Sequence, residues 1–257
     1  MTTDAPHIHV EQLTMAYGSN LIQQELTFDV NRGDVFVIMG GSGCGKSTLL
    51  KHMIGLYEPA VGDIFYAGRS FNKTDDAGRF QLRREWGITY QSGGLFSAMT
   101  LAENTALPLQ QYTKLGATEI ADIVAYKLAL VGLAGYQDYY PSEISGGMQK
   151  RAGLARAIAL DPDILFFDEP SAGLDPISSQ LLDELILQMK ESLGATVVIV
   201  THELASIFAI ANNSVFLDAE TKTMIAYGDP KQLREDSSEE KVRRFLARGK
   251  SGNGSTA

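Results

Sequence analysis

The sequence predicts an α/β fold around a parallel sheet, and three stretches predict it. An apolar run at residues 35–39 leads through a glycine-rich loop into a helical apolar pattern at 48–54. Residues 164–169 form an unbroken apolar run closed by two carboxylates, and residues 195–200 form a second such run. Continuous apolar strands belong to sheets covered on both faces. In such sheets ligands collect beyond the carboxyl ends of the strands.

The loop reads Gly40, Gly41, Ser42, Gly43, Cys44, Gly45, Lys46 and Ser47, with Thr48 carrying on into the helix. Gly-x-x-x-x-Gly-Lys-Ser between a strand and a helix is a phosphate-binding loop. A polyphosphate needs several N–H donors converging on its oxygens, and glycines let the backbone turn and approach closely enough to supply them. The helix adds its positive end. Lys46 offers a mobile cation for the β and γ phosphates of a nucleotide, and Ser47 a hydroxyl for Mg2+. Cys44 lies beside this helix start and Lys46, so its thiol is expected to be reactive and shielded by ATP.

Ahead of the loop, residues 8–13 and 25–30 read as two strands joined by a turn near Tyr17, which predicts an antiparallel β region. Tyr17 reads as a half-buried strand-end aromatic or as a stacking face for adenine. Gly55 and Pro59 stop the loop helix, residues 62–68 read as a strand with a turn, and residues 86–91 as a short strand ending in Gln91. Residues 100–135 switch to helical patterning, most clearly at 118–131, and form an inserted helical lobe. Ser145, Gly146 and Gly147 then open a helix, read from Gln149 and ending before Pro162. Such an opening is a second anion-ready terminus, although a serine there is more often simply the cap.

Asp168 and Glu169 end the 164–169 strand, where Asp168 can hold Mg2+ and Glu169 can orient or deprotonate a water. An ordinary acidic turn is the weaker reading beside a phosphate loop. Asp175 precedes a helix at 177–193, and His202 stands after the 195–200 strand as a structural hydrogen bonder or a donor to a γ-phosphate. A hairpin at 214–227 and a charged helix near 239–248 close the chain.

Composition narrows the function. The 22 Lys and Arg against 31 Asp and Glu give a net charge of −9 over 257 residues, without a long basic cluster, which argues against nucleic acid as a partner. One cysteine forms no intramolecular disulfide and fits a reducing compartment. The start carries no secretory signal, and no apolar run approaches the roughly 18 residues of a spanning helix. Membrane association is therefore expected through a partner, and residues 250–257 are expected to be a disordered tail.

Taken in order, Gly40 to Ser47, Gln91, Ser145-Gly146-Gly147, Asp168-Glu169, Asp175 and His202 resemble the motifs of an ATP-binding cassette (ABC) ATPase over about residues 8–235. The resemblance implies a P-loop NTPase core with an N-terminal antiparallel β subdomain and an inserted α-helical subdomain. It places the core and β subdomain at 8–91 and 160–235, the helical subdomain at 92–159 and a charged helix at 236–249, in one cassette of residues 1–249. ATP and Mg2+ are the implied cofactors, with Ser47, Gln91 and Asp168 around the metal. Tyr17 is implied to stack on adenine, Lys46 to hold phosphate, Gln91 to link the γ-phosphate to the helical lobe, Glu169 to be the base and His202 the switch histidine.

The family pairs cassettes head to tail, so Ser145 and Gly147 are implied to cap a nucleotide on a second copy. The residues by themselves leave open whether the two anion-ready termini serve one nucleotide or two. The usual Leu-Ser-Gly-Gly-Gln here has Ile144 and Met148 at its outer positions, and Met148 cannot donate a hydrogen bond as Gln does. Residues 92–104, Met148 and 242–246 are similar to the cassettes of Mla and Mce systems, which move phospholipids between bacterial envelope membranes. That implies a permease, a periplasmic Mce-type lipid-binding protein and a small cytoplasmic regulatory subunit as partners, at the cytoplasmic face of the inner membrane. An amino-acid or other small-solute importer is the competing reading. A DNA-repair or chromosome-structure cassette would place a long coiled coil between phosphate loop and signature, and this chain has no sustained heptads there.

Overall fold

The structure, a computed structural model, describes residues 5–91 and 93–248. The expected tail at 250–257 lies outside them. In chain order the strands are β1 (Ile8–Tyr17), β2 (Asn20–Val30), β3 (Val35–Gly40), β4 (Val61–Tyr66), β5 (Arg69–Ser70), β6 (Trp86–Thr89), β7 (Ile164–Asp168), β8 (Thr196–Val200), β9 (Asn213–Asp218) and β10 (Thr223–Tyr227). The helices are α1 (Lys46–Met53), α2 (Asp76–Arg84), α3 (Leu101–Tyr112), α4 (Ala117–Leu130), α5 (Gly146–Ala157), α6 (Pro176–Leu193), α7 (Leu204–Ile210), α8 (Pro230–Asp236) and α9 (Glu240–Ala247). The chain divides into two units, one running up to Asp76 and resuming at Val198, the other Ala77–Val197. The division falls within β8, whose five residues are all buried.

The first unit holds an antiparallel sheet in the order β2-β1-β4-β5. β1 and β2 run longer than the sequence pattern suggested. The alternation of apolar residues fails at Gln12 and Glu25, which hold positive φ values of 47° and 54°, and the β1–β2 register shifts between Val10 and Leu13. These irregularities bend the strands without ending them. The same unit pairs β3 parallel with β9 and β9 antiparallel with β10. Its core includes the stacked rings of Phe28 and Phe36, 5.3 Å apart, with Leu49, Leu50, Met53 and Val215 also buried. α9 is fastened at Lys241, which pairs with Asp218 at 3.1 Å and Glu220 at 2.7 Å, and by Phe245 edge-on to Phe216.

The second unit pairs β6 parallel with β7 and carries helices whose starts are spelled out in sequence. Thr100 and Glu103 form a reciprocal capping box on α3. Ser145 caps α5, which begins at Gly146, three residues before the Gln149 start expected from the sequence. Asp175 caps α6, with Pro176 in the first helical position. Asn104, wholly buried, donates to the carbonyls of Phe96, Met99 and Thr100 and accepts from Phe96 N–H, fixing that turn from inside.

Candidate functional site

In the first unit, β3 delivers six buried residues and stops at Gly40, where φ is 147°. A Cβ there would stand 2.4 Å from the Leu217 carbonyl oxygen and 2.7 Å from Cys44 Sγ, so only glycine lets the chain leave the strand on this path. Gly45, at φ 97°, opens α1, and a Cβ on it would meet Ile22 at 2.8 Å. Gly41, Ser42 and Gly43 are exposed, and Ser47 and Thr48 are half-buried on the first turn of α1. Lys46 Nζ donates to the carbonyls of Gly40 at 3.1 Å and Gly41 at 2.9 Å, so its ammonium lies across the mouth of the loop. Gln23, wholly buried on β2, donates through Nε2 to the carbonyls of Cys44 at 2.7 Å and Asp218 at 2.9 Å.

The expected reactive thiol is corrected by this geometry. Cys44 is 1% exposed, and burial pushes its thiol up, outweighing the pull of Lys46 toward the thiolate. Alkylation by iodoacetamide at neutral pH is expected to be slow in the folded protein, equal with and without ATP, and rapid after denaturation. Mass spectrometry of timed aliquots measures it, and fast nucleotide-sensitive labelling of the native protein would count against the buried thiol.

Tyr17 ends β1 with 48% of its surface exposed, its ring meeting Tyr57 edge-on at 5.6 Å. The buried His52 sits behind, its ring against Tyr57 and its Nδ1 3.1 Å from the Tyr57 carbonyl oxygen. Burial holds the His52 imidazole below its usual range, which keeps it neutral. His202 follows β8 and is exposed, flanked by buried Thr201, whose hydroxyl accepts from Glu203 N–H at 3.1 Å.

In the second unit, β6 ends at Thr89, and Gln91 lies exposed in the turn beyond it rather than in the strand. Gly93 N–H closes that turn on the Tyr90 carbonyl at 2.8 Å, and Arg156 donates to the Gly94 carbonyl at 2.7 Å. A Cβ on Gly153 would stand 2.5 Å from the Gly93 oxygen, so α5 presses its backbone directly on the turn that carries Gln91. Asp168 is the last residue of β7 and half-buried. Glu169, also half-buried, turns the chain at φ 50°, a left-handed conformation rare for a residue with a side chain and found where neighbouring contacts enforce it.

Those contacts are visible. The Glu169 carbonyl accepts from Ala172 N–H at 3.2 Å and from Lys150 Nζ at 3.4 Å, and Lys150 also donates to the Ala172 carbonyl at 2.6 Å. Burial pushes the Lys150 ammonium down, with Glu169 opposing. Lys150 escaped the sequence reading. Its one signal is a cation near the N-terminus of α5, where the helix dipole disfavours it unless something else holds it.

Ser145 accepts from Met148 N–H at 3.3 Å as the cap of α5. Asp175 accepts from the N–H groups of Ile177 at 3.1 Å and Ser178 at 3.0 Å. The Ser178 hydroxyl, then its N–H, hold the Asp175 carboxyl below the usual carboxylate range. A Cβ on Gly147 would lie 3.8 Å from Leu174 and 3.9 Å from Ser178 Oγ, so the starts of α5 and α6 face each other across a cavity of about 320 Å³ lined by Ser145, Gly147, Leu174 and Ser178. The second unit thus brings Ser145 and Gly147 to one cavity with Ser178, which is bonded to Asp175, and Lys150 bridges α5 to the Glu169 turn.

A family model described as ABC transporter matches residues 23–172. The chain is 42% identical over 239 residues to a probable ribonucleotide transport ATP-binding protein of Mycobacterium leprae, covering 93% of this chain and 68% of that protein. It is 39% identical over 239 residues to the intermembrane phospholipid transport system ATP-binding protein MlaF of Haemophilus influenzae, covering 93% of this chain and 89% of that protein. Among solved structures, a dimeric ATP-binding cassette in a post-hydrolysis state with ADP and Pi is 26% identical, with a TM-score of 0.77 over 86% of this chain and 98% of that one.

Proposed function

The chain belongs to the ABC transporter family and hydrolyses ATP as its ATP-binding subunits do, and from that premise we propose that it powers the movement of a phospholipid between bacterial envelope membranes. The observation that carries the lipid reading is likeness to MlaF over 89% of that protein's length, against 68% for the Mycobacterium leprae protein. Likeness to the Mycobacterium leprae ribonucleotide transport protein favours a second reading, a small-solute transporter.

The chemistry follows from the residues. The glycines at 40, 43 and 45 shape a loop that fits a polyphosphate, since the close approaches at Gly40 and Gly45 leave no room for side chains. Lys46, now on two loop carbonyls, moves its ammonium onto the β and γ phosphates. Ser47, Gln91 and Asp168 supply oxygen donors of the kind Mg2+ takes beside phosphate oxygens, and the ion when bound neutralises charge on the transferring phosphoryl group. Tyr17 stacks on adenine. Glu169 accepts a proton from the attacking water, and His202 donates to the γ-phosphate.

The subunit acts as a head-to-tail pair in which Ser145, Gly146, Gly147 and Asp175 close over the nucleotide of the partner copy. Residues 8–91 and 160–235 carry the nucleotide chemistry, and 92–159 carry the signature and meet a membrane permease. Among the described residues no helix is long and apolar enough to cross a membrane, and the permease holds the chain at the cytoplasmic face of the inner membrane. An Mce-type lipid-binding protein and a small regulatory subunit complete the machine.

The test is to purify the tagged chain from its native membrane in mild detergent and identify partners and bound small molecules by mass spectrometry. A permease, an Mce-type protein and phospholipid are the expected result. A solute-binding protein without enriched lipid would replace the lipid reading with the small-solute one.

A further inference from the structure

We propose that Gln23 is a positioning residue for nucleotide binding: by holding the Cys44 carbonyl it aims the Gly45 N–H into the phosphate cradle. This rests on the reading of Gly40 to Ser47 as the nucleotide site. The peptide between Cys44 and Gly45 is trans, as are all those described. Across a planar trans peptide the C=O and the following N–H point in opposite directions. The Cys44 oxygen is drawn toward β2 by Gln23 Nε2 at 2.7 Å, so the Gly45 N–H is turned the other way. Gly45 opens α1, the terminus at which an anion is favoured.

The second N–H of the same amide donates to the Asp218 carbonyl at 2.9 Å. Asp218 ends β9, which pairs with β3 in parallel register up to Gly40 and Leu217. Gln23 therefore ties the loop carbonyl to the sheet from which the loop departs. The amide is wholly buried, and its Oε1 has no hydrogen-bond partner among the described residues. A stranded buried oxygen is unfavourable, and an apolar side chain of similar size would fill the space without one. Filling the space therefore gives no reason for a glutamine here; its N–H groups answer the buried Cys44 and Asp218 carbonyls, and the bond to Cys44 fixes the direction of a loop peptide.

The experiment compares wild type, Gln23→Leu and Lys46→Ala for thermal unfolding and for Kd of ATP, ADP and inorganic tripolyphosphate, well below each Tm. Gln23→Met is the second variant should the leucine fail to fold. The expected result is an apolar variant with a lowered Tm, because the buried Cys44 and Asp218 carbonyls lose their donor, and a Kd weakened about tenfold for all three ligands, since the lost alignment concerns phosphate and not base. Unchanged affinities would overturn the inference whatever the Tm does, as would a loss that ATP shows and tripolyphosphate does not. Lys46→Ala separates the two levels. If it binds ATP as wild type does, the reading of the loop falls and the inference with it; if it loses ATP while the Gln23 variants bind normally, only the inference falls.

Discussion

Glu169→Gln is expected to lower ATP turnover by about two to four orders of magnitude while leaving ATP affinity within a few fold of wild type. The amide matches the carboxylate in size, so the half-buried side chain keeps its packing. The backbone at 169 is held by contacts that the substitution does not touch. Its carbonyl still accepts from Ala172 N–H and Lys150 Nζ, which fix the left-handed turn after β7. What disappears, on the proposed mechanism, is the capacity to take a proton from water. With hydrolysis blocked and binding intact, the ATP-bound pair should accumulate, and size-exclusion chromatography with MgATP should show a dimer absent without nucleotide. Turnover within threefold of wild type would assign the base elsewhere.

The second large effect is complementation. Lys46→Ala removes the phosphate cation, and Ser145→Arg replaces a helix cap with a bulky cation at a terminus that already carries positive partial charge. Each variant alone should occlude almost no nucleotide. In a head-to-tail pair, a mixed dimer regains one site built from the intact loop of one chain and the intact signature of the other. Mixing equal amounts should restore about a quarter of wild-type occlusion, half the dimers being mixed and each carrying one good site of two. Trapped radiolabelled nucleotide after rapid gel filtration measures it. No recovery on mixing would mean that each chain completes its own site.

Much of this was legible in sequence because the decisive residues stand at element ends. The loop at Gly40 to Ser47, the carboxylates Asp168 and Glu169 at the end of β7 and the caps Ser145 and Asp175 all mark transitions between regular segments, where residue type is tied to backbone geometry. Features with weak patterns were lost. α2 has one buried residue, Leu82, and so shows no apolar period. α7 and α8 have seven residues each, too short for the period to register. Gln23 and Lys150 matter through contacts made across the fold, with Cys44 and Asp218 in one case and with Glu169 and Ala172 in the other, which neighbouring residues do not announce. The Cys44 expectation is overturned because burial, which the local sequence does not display, outweighs the nearby cation.

The burial of Cys44 also shapes how motion in this protein can be followed. The chain has one cysteine, and it is 1% exposed within the phosphate loop. A thiol introduced on the surface therefore meets almost no competing background, and wild-type chemistry need not be altered to prepare it. A spin label or fluorophore on the exposed face of α6, for instance at Leu181, with 58% of its surface exposed, would report distances between two copies through an ATP cycle.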